Sequence, residues 1–104
     1  MFRIKEPNLD FGHTAIENIF INDFMPMANG VQLKVYLTGY KFAKENPTTI
    51  EVTNATIAKH LNIPLSDVLA AWDFWENKNV IVKHAKLDAV DVTDFDIEFL
   101  SLIQ

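Results

Sequence analysis

The chain has 104 residues, of which 49% are hydrophobic and 22% charged, which is enough for one cooperative core and too apolar for a disordered chain. It contains no cysteine, so disulfides, zinc-thiolate sites and thiol nucleophiles are excluded. Its formal charge is −5, and residues 85–104 set one lysine against five acids, opposite in sign to the basic patch that phosphate binding favours.

Arg3, Lys5, Glu6 and Asp10 break up any apolar run at the start, so no secretory leader is expected. No segment approaches the ~20 apolar residues of a membrane span. The expectation is a soluble, cytoplasmic protein.

From Asn18 to Leu37 only Asp23 and Lys34 are charged. The stretch brings Ile19, Phe20, Ile21, Phe24, Met25, Met27, Val31, Leu33 and Val35 to a domain with a single small core. Pro26 and the Asn29-Gly30 pair predict a turn that sets residues 1–29, an N-terminal arm, against the rest of the chain. A helix is predicted from about Gly30 to Glu45. Lys34, Thr38, Lys41 and Glu45 form its polar stripe, and the remaining surface is wide and apolar, as for a helix with neighbours on more than one side. Asn46-Pro47 ends it. Thr48 to Val52 reads as a short strand or extended link.

Thr53, the expected N-cap, opens a short helix to Leu61. Asn62-Ile63-Pro64 turns the chain into a second helix, Leu65 to Asn77. Ile57, Leu61 and Ile63 on one side and Val68, Trp72 and Trp75 on the other are spaced to meet across that turn, a helix-turn-helix pattern. At helical spacing beside Val68 the two tryptophans read as core rather than as a platform for stacked bases. Asn79 suits a left-handed helix end. The runs Val80–Ala85 and Asp94–Leu102 read as two strands, with a polar loop over Lys86 to Asp94. The expected fold is α+β, mainly helical: a winged helix-turn-helix over residues 30–104 with a short β-wing, preceded by the arm.

The run NIFINDFMPMANGVQLKVYLTGY followed by IAKHLNIPLSDVLAAWDFWENKNVI resembles the N-terminal domain of DnaD-like replication initiation proteins of bacteria and their phages. The resemblance covers roughly residues 11 to 102. It implies a winged-helix module of self-association and protein interaction, in a protein that acts in primosome assembly and helicase loading. In that family a separate C-terminal domain carries much of the DNA binding, so the chain is expected to be a fragment of a longer protein. The implied partners are a second copy, as homodimer or higher oligomer, and other primosome proteins.

The surplus of apolar side chains in the arm marks Phe20, Phe24, Met25, Met27, Val31 and Val35 as the candidate oligomerisation surface, since soluble monomers rarely expose large apolar patches. The alternative is that the arm caps its own core. On the second helix of the motif the outward positions are Ser66, Asp67, Ala70, Asp73, Phe74 and Asn77. Family members often carry a base where this chain has Ala70, and another at Asp73. Ala70 and Phe74, four apart, are candidates for a small protein-binding spot. Lys59, Lys78, Lys83 and Lys86 are the basic residues near motif and wing. They are either solvated surface lysines or backbone contacts to a DNA that this domain binds weakly if at all. A DNA-binding winged-helix transcriptional regulator is the second reading.

Nothing points to an enzyme. His13, His60 and His84 lack metal-ligand spacing, and the acids of the tail lack a calcium-loop pattern. Gly12, Gly30 and Gly39 are isolated, and there is no nucleophile elbow. No cofactor or metal is expected.

Overall fold

Asn29 and Gln32 exchange hydrogen bonds at the start of the longest helix: Gln32 N–H donates to Asn29 Oδ1 at 2.8 Å, and Asn29 N–H donates to Gln32 Oε1 at 2.9 Å. Two of the amides that a helix start leaves unpaired are thereby satisfied. Asn29-Gly30 is thus a helix cap rather than the expected turn, and no glycine among the described residues has a positive φ. The computed structural model describes residues 12–45, 52–85 and 95–102. The link at Thr48–Glu51, the loop at Lys86–Asp94 and Lys86 itself lie outside the described residues.

Helix α1 is Gly30–Glu45. Helices α2, Asn54–Leu61, and α3, Leu65–Asn77, form the predicted pair, and strands β1, Ile81–Ala85, and β2, Phe95–Phe99, form an antiparallel hairpin. The arrangement is α+β, mainly helical, and consistent with a winged-helix-like fold. Thr53 caps α2 through a reciprocal box with Thr56. Both helices of the pair end on an asparagine in the left-handed region, Asn62 at φ 56° and Asn79 at φ 62°. Ile63 N–H reaches Ala58 O at 3.0 Å and Val80 N–H reaches Trp75 O at 3.3 Å, while each asparagine N–H closes the shorter bond, to Lys59 O and to Glu76 O. Two successive Schellman ends therefore aim the chain, first into α3 and then into the hairpin.

The core gathers Val35, Tyr36, Ile57, Ala58, Val68, Ala71, Trp72, Trp75, Val80 and Ile81, with Phe20 from the arm. Both indoles are buried and both N–H groups are satisfied. Trp72 Nε1 donates to Asn54 Oδ1 and Trp75 Nε1 to Gln32 O, each at 2.8 Å, so α3 is tied to the starts of α2 and α1. Ile81 faces Phe99 across the hairpin, and Leu100 N–H donates to Val80 O at 3.0 Å, anchoring the end of β2 beside the α3 terminus. Phe99 meets Tyr36, Tyr40 and Trp72 edge-on. The wide apolar surface of α1 is accounted for in this way: α3 and α2 pack on it, and so do β2 and the arm.

The arm enters as a π-helical turn, Phe20–Phe24, closed by Met25 N–H on Phe20 O, followed by a 3₁₀ turn, Met25–Met27, with Pro26 near its start. Ala28 is extended and leads to the Asn29 cap. Widening the turn by one residue shifts the phase of the side chains. Phe20, at the start of the turn, points inward and stacks on Tyr36 with ring centroids 4.2 Å apart and planes 13° from parallel.

Candidate interaction surfaces

The structure divides the six expected oligomerisation residues. Phe20 is 1% exposed and Val35 0%, both in the chain's own core, so neither is presented to a second copy. At Phe20 the arm packs on the chain's own core. Phe24 and Met25 are half-buried against the same core. Met27, 48% exposed, and Val31, 36%, remain outside, together with Ile21, 40% exposed, which the sequence marks as apolar but not as a contact.

Beside Val31 a groove of about 200 Å³ runs between the first turn of α1 and the outward face of α3, lined by Asn29, Val31, Gln32, Asp67, Ala70 and Ala71. Ala70 therefore shares a surface with Val31. Phe74 is half-buried, packed on the core with its ring edge-on to Trp75 at 4.9 Å, and Lys78 Nζ lies 5.5 Å from its centroid. It is a shoulder of the core, and only part of it is available to a partner. Ser66, Asp67, Asp73 and Asn77 are exposed, as their outward positions predict.

Several of the basic residues are engaged within the chain. Lys83 on β1 is hydrogen-bonded and ion-paired to Asp73, with Glu76 Oε1 at 3.5 Å, and its ammonium lies 5.4 Å from the Phe95 ring centroid. Partial burial pushes the Lys83 pKa down, but the hydrogen bond and charge of Asp73, with Glu76 behind it, outweigh that and hold the ammonium above its ordinary value. Two acids of α3 thus occupy the basic side chain that β1 turns toward the helix. Lys59 is exposed on α2. Across the hairpin His84 Nε2 lies 3.0 Å from Glu98 Oε1, both side chains exposed.

A larger groove, about 340 Å³, opens between α1, the start of α2 and β2, with Phe42, Val52, Ile57, Phe95 and Ile97 among its walls and the Trp72 ring at its floor. No sequence pattern announces it. Its only trace is the alternation of Phe95, Ile97 and Phe99, which marks one face of a strand without saying what that face meets. Among the described residues no three side chains are grouped to hold a metal ion, and no helix is long and apolar enough to cross a membrane. Compared with protein-family models, with curated proteins and with solved structures, the chain matches none.

Proposed function

We propose that this chain is a self-association and protein-interaction module, a winged helix of a DnaD-like replication initiation protein acting in primosome assembly and helicase loading. The family part of this reading rests on the sequence resemblance over residues 11–102. The observation that carries the interaction part is the apolar surface left after the core is complete: Ile21, Met27 and Val31 stand exposed, and Val31 continues into the groove edged by Ala70. Large apolar side chains at the centre of a contact supply most of its energy, and a second copy related by a two-fold axis is the commonest partner for such a patch. As a binding module the domain needs neither a catalytic group nor a cofactor.

The regulator reading has the exposed face of α3 in its favour and the charge of that face against it. Asp67 and Asp73 stand where phosphates would lie, and Lys83 is already paired with acids of the same chain.

Sedimentation of the chain at concentrations on the order of the dissociation constants of standard interfaces tests the proposal, an interface of this kind burying at least ~1,000 Å² in total. The expected result is a dimer or larger species that Met27→Asp and Val31→Asp each convert to a folded monomer, because an unpaired charge at the centre of an apolar contact is costly to desolvate. A wild-type chain that stays monomeric throughout would sink the proposal.

A further inference from the structure

Helices α1 and α2 carry Lys34, Lys41, Lys44 and Lys59 against a single acid, Glu45. On α3 and the two strands the balance is reversed, with Asp67, Asp73, Glu76, Asp96 and Glu98 against Lys83. α1 and α3 pack on each other through buried Val35, Tyr36, Val68 and Trp75, so their outward faces point apart. Exposed charges more than about 8 Å from one another are largely screened at physiological salt. An acidic average thus conceals a basic side. Lys34, Lys41 and Lys44, seven and three residues apart, follow one stripe of α1 over about 15 Å of helix. The last turn of α2 adjoins it: Lys41 Nζ lies 4.8 Å from the Phe42 ring centroid, and that ring stands edge-on to His60 with centroids 6.3 Å apart. Lys59 and His60 are exposed there.

We propose that this side of the molecule, the outer stripe of α1 with the last turn of α2, is a contact surface for the phosphate backbone of duplex DNA, in place of the outward face of α3. Whereas Lys83 is taken up by acids of α3, Lys34, Lys44 and Lys59 have no ion-pair partner among the described residues. Lys41 and Glu45 are 2.6 Å apart, but an exposed pair of this kind contributes little and yields readily to a phosphate. Tyr40 and Phe42 are half-buried and each already has a lysine ammonium over its ring, so the surface offers charge rather than the open ring faces on which unpaired bases stack. That favours duplex over single strand. The contact reads no sequence, since it reaches phosphates alone. The inference does not rest on the proposed self-association.

Fluorescence anisotropy of a labelled duplex, with the chain titrated between about 50 and 200 mM salt, tests this through the salt dependence of binding. Each phosphate neutralised adds about −0.9 to the slope of log K against log salt, so four lysines give roughly −3.6. The expected result is sequence-independent binding with that slope. Lys34→Gln, Lys44→Gln and Lys59→Gln should each reduce it by about 0.9, and the three together should leave roughly −1. Lys78→Gln removes the same charge at the end of α3 and should leave the slope unchanged. An unfolding midpoint for each variant separates lost contacts from a lost fold. No measurable binding at the lowest salt, an unchanged slope in the single and triple variants, an equal loss in Lys78→Gln, or tighter binding of a single strand or of polyglutamate than of the duplex would each overturn the assignment.

Discussion

The Trp72 ring lies directly on the backbone of Gly39: a β-carbon there would stand 2.7 Å from the indole. The ring's N–H is held by Asn54, Phe99 packs edge-on to it, and the Phe99 ring itself would stand 3.4 Å from the same β-carbon. Replacing glycine by alanine within a helix ordinarily stabilises by up to about 1 kcal/mol. Here overpacking costs ~1–3 kcal/mol and works against that gain. We expect Gly39→Ala to lower the urea midpoint, and a rise would show that the ring has room to move.

Phe20→Ala should behave as a core truncation. With the ring 1% exposed and stacked on Tyr36, the loss belongs with buried Phe→Ala changes, about 3–5 kcal/mol. Equilibrium unfolding measures it, and a fully stable variant would mean that the arm contributes little to the fold.

Asn79 separates α3 from the hairpin at φ 62°. Asn79→Gly should leave stability nearly unchanged, since glycine adopts this region without penalty. Asn79→Val should cost about 1–2 kcal/mol, the penalty of left-handed backbone for a side chain with a crowded β-carbon. Thermal unfolding of the pair, side by side, distinguishes the backbone effect from any side-chain contact.

Alkaline pH should weaken the fold through two groups. Burial, then the Tyr40 and Glu17 neighbours, raise the Tyr36 phenol to about 12, against 10.0 when unfolded. Between those values the unfolded state releases its proton first, so stability falls as pH rises. Lys83 is also raised, burial being outweighed by Asp73 and Glu76, so its contribution is complete below the unfolded value of 10.5 and is lost as pH climbs through the folded one. We expect the urea midpoint to fall progressively above about pH 10, and to fall less in Tyr36→Phe.

Binding to duplex DNA should be no tighter than ordinary non-specific affinity, Kd ~10⁻⁴–10⁻⁶ M at physiological salt. Fluorescence anisotropy with duplexes of unrelated sequence checks this. Sub-micromolar, sequence-selective binding would contradict the pairing of Lys83 with Asp73 and Glu76 as the state that DNA meets.

The helices are legible in the sequence because their boundaries are chemical. Pro64 precedes α3, Asn79 comes after it, and the structure has α1 over Gly30–Glu45 and α3 over Leu65–Asn77, as the patterns predict. The tryptophans are readable as core from their spacing beside Val68, and Thr53 as a cap from its place before a helical run. The arm is not legible to the same degree. A π turn adds a residue to the helical repeat, so the facing of the side chains across Phe20–Phe24 cannot be read from ordinary helical spacing. The Asn-Gly pair has two uses, turn and cap, and the choice is made by Gln32 three residues later. Nor does local sequence indicate that Lys83 will find Asp73, since the two belong to different elements and meet only when the hairpin folds back onto α3.

The chain has two tryptophans, and they report on different parts of it. Trp75 touches the arm through Phe20 and bonds α1 through Gln32, whereas Trp72 bonds α2 through Asn54 and meets β2 through Phe99. Replacing either with phenylalanine would leave one fluorophore. Emission from Trp75 alone would register release of the arm, and emission from Trp72 alone would register departure of the hairpin. The molecule thus carries two optical gauges, placed so that local opening at one end can be timed separately from opening at the other.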